Sequence, residues 1–319
     1  MIDNEYSVSI KKSIFKYSLY IGIALLISVG IQLILSFVSM SVLAFNGYTI
    51  DEILQAFTDT WSGYLLNTVG IVLISTVPFL ILRPLNNQPV YEICSFNSPK
   101  KSLTFPCVIF AFGGAMLANV FASLFVAFLE NFFGFEATQV SIGDNSFSSP
   151  MELVYTIVCA ALIPALFEEF AFRGMIMGSL RKFGDMPAIL VSALIFAFYH
   201  GNFIQIPFAF LVGIFLGLIA VMTDSIWPAV IAHFINNLYA VIVNSLSNDY
   251  LAFVSISFLL IIFLGFIGLI VLVKKKAFLN IDRKTTALSG TSKFFRMLSS
   301  PTIIIYFVIM IVMALMNKA

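Results

Sequence analysis

From Tyr17 to Phe45 the chain runs 29 residues without one charged side chain. A helix needs about 20 apolar residues to cross the hydrocarbon core of a bilayer, and this run exceeds that. Lys11, Lys12 and Lys16 precede it. A cleavable signal carries an apolar region of about 7–15 residues followed by a small-residue cleavage site. This run is nearly twice that length and has no clear site, so it reads as a retained first transmembrane helix.

Eight further apolar runs follow, at 62–82, 104–133, 151–180, 187–202, 204–222, 226–247, 251–273 and 301–316. Charged residues make up 10% of the chain and hydrophobic residues 60%, with a mean hydropathy of +1.02. A soluble domain carries roughly 25% charged residues, so most of this surface must face lipid. The sequence therefore predicts an all-α, polytopic transmembrane bundle of about nine helices. The fifth and sixth runs form one apolar stretch broken at His200-Gly201-Asn202, with Pro207 shortly after; this reads as a tight helical hairpin. No internal repeat occurs. Three regions are expected: an N-terminal region 1–149 with three helices, a core 150–247, and a C-terminal region 248–319 with a polar loop at 274–300.

Net charge is +1, which gives no support for nucleic-acid binding. Cys94, Cys107 and Cys159 are scattered and form no CxxC pair, so neither a disulfide framework nor a thiolate metal site is indicated. Lys and Arg collect in cytoplasmic loops of membrane proteins. With the N-terminus inside, 15 of the 17 basic residues fall in inside segments, while segments 46–61, 134–150 and 248–250 hold none. The expectation is a multi-pass protein of the cell membrane with a cytoplasmic N-terminus.

A short list of polar groups remains within the apolar runs: Glu168, Glu169 and Arg173 in the fourth, His200 at the end of the fifth, and His233 with Asn237 in the seventh. Charged groups in hydrocarbon cost roughly 2.5–3.5 kcal/mol each on insertion scales and generally face a cavity and one another. Counted from the expected cytoplasmic ends, Glu168, His200, His233 and Asn237 lie about 12–20 Å deep at 1.5 Å per residue. Three helices thus place polar groups in one slab of the bilayer. Glu169 and Arg173 are four apart, as are His233 and Asn237, so each pair shares a helix face. Pairing of Glu169 with Arg173 leaves Glu168, about 100° round the helix, as the carboxylate available for chemistry.

The motifs E-E-x-x-x-R (Glu168 to Arg173), F-x-x-x-H (Phe196 to His200) and H-x-x-x-N (His233 to Asn237) stand in that order. Together they resemble the CPBP family of intramembrane proteases, which includes the CAAX-processing endopeptidases and bacterial Abi-type relatives. The resemblance implies that Glu168 activates the hydrolytic water with help from His200, that His233 and Asn237 hold the oxyanion, and that Glu169 and Arg173 support the site. It implies a peptide segment of a membrane-associated or lipidated protein as substrate, in a cavity open to the cytoplasmic side. Glu168, His200 and His233 also make up the donor set of a zinc site with an open fourth position. A metal-free route is favoured, because Asn237 is a poor zinc ligand and a good oxyanion donor.

Other readings stand beside this one. A proton-coupled transporter could use the same Glu and His residues, although no pseudo-symmetric halves are visible. A bacteriocin-immunity protein or a scaffold of the same fold would need no catalysis. Asn236 reads as a helix-packing hydrogen bonder, the Gly213 to Gly217 interval as a close helix contact within the bundle, and the cysteines as core residues.

Overall fold

The computed structural model describes residues 2–45, 61–134, 147, 150–246, 248–281 and 288–316. Helices dominate, and no strand occurs among these residues. In chain order they are α1 (Ile2–Phe45), α2 (Trp61–Thr76), α3 (Lys101–Phe133), α4 (Pro150–Phe183), α5 (Asp185–Tyr199), α6 (Gln205–Thr223), α7 (Trp227–Asn244), α8 (Leu251–Lys274), α9 (Gly290–Leu298) and α10 (Pro301–Met316). Each of the nine apolar runs has a helix over most of its length. The protein is an all-α polytopic bundle. Most of loops 46–61 and 134–150, which lack Lys and Arg, lies outside the described residues, as do Arg283, Lys284 and Lys318.

Length and composition separate the helices into two kinds. Among the described residues, six segments are long and apolar enough to cross a membrane: those of α1, α3, α4, α6 and α8, and Thr68–Asn86, which continues α2. The pair α9 and α10, bent by 70°, makes up to a seventh. Neither α5, only 15 residues long, nor α7 is in that set. Both carry part of the polar group of residues: α5 gives way at His200, and α7 contains His233, Asn236 and Asn237. The segment 274–300, expected as a loop, contains the amphipathic α9. There Lys293 and Met297 are buried while Phe295 and Arg296 are exposed, and Ser289 caps the helix by accepting from the Ser292 amide at 3.2 Å.

Local sequence explains the boundaries. The break after α5 is made at Gly201, whose φ of +58° favours glycine. Pro228 opens α7 in its first turn, where a missing N–H costs nothing. Asp224 ends α6 in the left-handed conformation. The helix α4 is not uniform. It is α-helical at Ile163–Glu169 but π-helical at Ile157–Leu162 and at Phe170–Met177. The first wide stretch directly precedes Pro164, whose ring removes a backbone donor.

Close packing positions the core. A Cβ built at Gly213 would lie 2.9 Å from Ala193 Cβ, and one at Gly217 3.0 Å from Ile189 Cγ2. The G-x-x-x-G interval therefore holds α6 against α5 inside the bundle. Gly113 and Gly265 make a similar contact between α3 and α8. The C-terminal half of α4, from Ala171 to Met177, is buried against α5, α6 and the turn at Val90–Ile93.

Candidate active site

Glu168 and Glu169 close the α-helical stretch of α4, and Arg173 lies in the π-helical stretch that follows. Glu169 is fully buried and Arg173 is 1% exposed. Arg173 Nη1 donates to Glu169 Oε1 at 2.7 Å, the pairing expected from their spacing. Nη2 donates to the Gly213 carbonyl of α6 at 3.3 Å, and the guanidinium carbon lies 4.4 Å from the centre of the Phe196 ring of α5. A buried ion repays its desolvation only when such hydrogen bonds surround it. Arg173 is thus held from three helices.

His233 of α7 joins the same carboxylate. Its Nδ1 lies 2.9 Å from Glu169 Oε1. A carboxylate only accepts, so this nitrogen is the donor and Nε2 is the ring atom turned toward Glu168. His233 Nε2 and Glu168 Oε2 are 3.9 Å apart. That separation is an ionic contact, too long for a direct hydrogen bond. The Glu168 side chain is 13% exposed, against none for Glu169. Glu168 is therefore the accessible carboxylate, and Glu169 the one engaged by both Arg173 and His233. The second oxygen of Glu169 is buried and makes no hydrogen bond within the described residues. Sequence spacing predicted the contact with Arg173; the contact with His233 had no signal in it.

The remaining candidates lie around this group. His200 caps the C-terminus of α5, with its Nδ1 2.9 Å from the Phe196 carbonyl and its side chain exposed. Its contacts run to Phe196 and not to Glu168. Phe196 is the shared neighbour, edge-on to His200 at 4.8 Å and to His233 at 5.9 Å between ring centres. Asn237 follows His233 by one turn, half-buried, and accepts from Asn236 Nδ2 at 3.3 Å. The structure thus gathers Glu168, Glu169, Arg173 and His233 directly, and His200 through Phe196. Glu168, His200 and His233 do not form a cluster able to hold a metal ion, and no other three of His, Cys, Asp and Glu do so among the described residues.

A bundle of apolar helices enclosing two carboxylates, a guanidinium and an imidazole has the character of a membrane protein with chemistry inside it. Residues 150–239, less than a third of the chain, match the family described as type II CAAX prenyl endopeptidase, Rce1-like. The matched segment contains all three motifs, so the resemblance to CAAX-type proteases is borne out over it. That family supports intramembrane endopeptidase activity in general terms. Neither the curated proteins nor the solved structures compared with the chain include a match to it.

Proposed function

We propose that the chain hydrolyses a peptide bond in a membrane-associated or lipidated protein, within the core 150–247 and in a cavity open to the cytoplasm. The observation that carries this reading is the imidazole of His233 set between two carboxylates of different exposure, at 2.9 Å from Glu169 and 3.9 Å from Glu168. Glu168, the accessible one, takes a proton from water, with His200 assisting. The hydroxide oxygen adds to the peptide carbonyl carbon, and the C=O electron pair moves onto oxygen. His233 and Asn237, one turn apart, stabilise that oxyanion. Collapse breaks the C–N bond, and the leaving nitrogen receives the proton that Glu168 took. Glu169 and Arg173 hold His233 in place. Placing the N-terminus inside puts 15 of the 17 basic residues on that side of the membrane, which supports the cytoplasmic orientation.

The test compares wild type with Glu168→Ala and His200→Ala in proteoliposomes, against a peptide library, with and without a chelator. The wild type is expected to cleave with chelator present. Both variants are expected to accumulate normally and to cleave at least about a hundredfold more slowly, the usual size of a lost general base. Full cleavage by either variant overturns the assignment. Loss of wild-type cleavage on chelation overturns the metal-free route and moves the reaction to zinc.

A further inference from the structure

Several hydroxyls in the apolar helices fold back on their own helix. Thr104, Thr156, Thr223 and Ser255 each donate to the carbonyl four residues earlier. Ser192 on α5, which belongs to none of the three motifs, does otherwise. Its Oγ donates at 2.8 Å to the Phe172 carbonyl of α4, 20 positions away in the sequence. Ser192 is buried.

Phe172 lies in the π-helical stretch Phe170–Met177, directly before Arg173. A carbonyl oxygen has two lone pairs, so it can take this hydroxyl beside a bond within its own helix. The Phe172 ring also rests on α5, at 5.1 Å from Phe196 and 5.1 Å from Tyr199 between centres. The turn before α3 presses on the same region: a Cβ at Gly174 would meet Cys94 Sγ at 2.7 Å. Wide turns inside α-helices are rare and short, so one that persists is held by its neighbours.

Two roles are open to such a hydroxyl. It can simply join two helices, as Ser18 does by donating from α1 to the Met297 carbonyl of α9 at 2.7 Å. Or it can set how α4 winds where Glu169 and Arg173 meet α7. The position of the acceptor favours the second. Arg173 Nη1 and His233 Nδ1 share one oxygen, Glu169 Oε1, at 2.7 and 2.9 Å. Relaxing the wide stretch towards an ordinary α-helix would turn Arg173 about the helix axis relative to Glu169, and hydrogen bonds weaken steeply with misalignment.

We propose that Ser192 is a positioning residue of this site. Its hydroxyl holds the π-helical stretch of α4 in the winding that brings the Glu169–Arg173 pair to His233. The effect on turnover rests on the reading of His233 as an oxyanion-binding group.

Two measurements decide it. The chain has two histidines, so histidine labelled with nitrogen-15 reports on His200 and His233 alone, and His200→Gln tells them apart. In detergent, the His233 Nδ1 proton that bonds Glu169 is expected as a downfield, slowly exchanging signal. Ser192→Ala should shift it upfield or lose it to exchange, whereas Ser18→Ala should leave it in place. Each variant removes one buried hydroxyl–carbonyl bond, so the two should lower Tm to a similar extent. Turnover of the library peptides is expected to fall roughly tenfold in Ser192→Ala at unchanged KM. Ser192→Cys, a weaker donor, should lose less, and Ser18→Ala nothing. An unchanged His233 signal in Ser192→Ala, or an equal loss of turnover in Ser18→Ala, overturns the proposal. Cleavage retained in Glu168→Ala is a different failure: it removes the protease reading, while the His233 signal, which needs no substrate, still decides whether Ser192 positions the imidazole.

Discussion

His233 on α7 donates through Nδ1 to Glu169 on α4 across 2.9 Å. The two residues are 64 positions apart, and the same carboxylate oxygen also accepts from Arg173. One buried oxygen therefore joins a cation and an imidazole from different helices.

Removing either charge of the Glu169–Arg173 pair leaves the other buried without its countercharge. Glu169→Gln and Arg173→Leu are each expected to destabilise by about 3–5 kcal/mol, and the double variant by less than either alone. Arg173→Lys should not restore stability, since a single ammonium lacks the planar fork that meets both Glu169 and the Gly213 carbonyl. Equilibrium unfolding in detergent measures all four.

Phe196 has its face toward Arg173 and stands nearly perpendicular to both imidazole rings, at 88° to His200 and 85° to His233. Phe196→Leu keeps an apolar side chain but removes those ring contacts. Turnover is expected to drop about tenfold, the effect of misplacing groups near the chemistry by a fraction of an ångström. The check is peptide cleavage compared with the shift in Tm: an equal loss of turnover in a Tm-matched variant remote from the site would reduce Phe196 to packing.

A Cβ at Gly178 would fall 2.0 Å from the Ile93 carbonyl oxygen, whereas one at Gly174 would meet Cys94 Sγ at 2.7 Å. Backbone yields less readily than a side-chain end. Gly178→Ala is expected to cost more stability than Gly174→Ala, with overpacking of about 1–3 kcal/mol as the scale. Similar melting temperatures for the two would contradict this.

Burial pushes the Cys94 thiol, in the turn before α3, up to about 12. A free thiol titrates near 8.5, so at pH 8 the folded protein holds roughly a thousandfold less Cys94 thiolate than the unfolded chain. Maleimide labelling in a background with Cys107 and Cys159 replaced by Ser should be slow until denaturant is added. Rapid labelling of the folded protein would mean that Cys94 is open to solvent.

What was legible in the sequence was local. Apolar runs gave the helices, Gly201 and its polar neighbours gave the break after α5, and the interval from Glu169 to Arg173 gave their pairing. The contacts that define the site cross between helices. Nothing at 168–173 announces a π-helical stretch, yet that wider turn sets how Arg173 and Glu169 present themselves to α5, α6 and α7. The bond from His233 to Glu169, the role of Phe196 as common neighbour, and the reach of Ser192 to Phe172 depend on packing between distant segments. Within the polar segment 274–300, α9 did leave a sign: Lys293 and Met297, four apart, share a face, and Ser289 stands as its cap.

Gly213 does two jobs with one peptide unit. Its bare α-carbon lets α6 approach Ala193, and its carbonyl receives Arg173 Nη2. Any methyl group grafted there would wedge the two helices apart and draw that oxygen off the guanidinium in the same movement. Spacing between helices and solvation of the buried Arg173 cation are thus one variable.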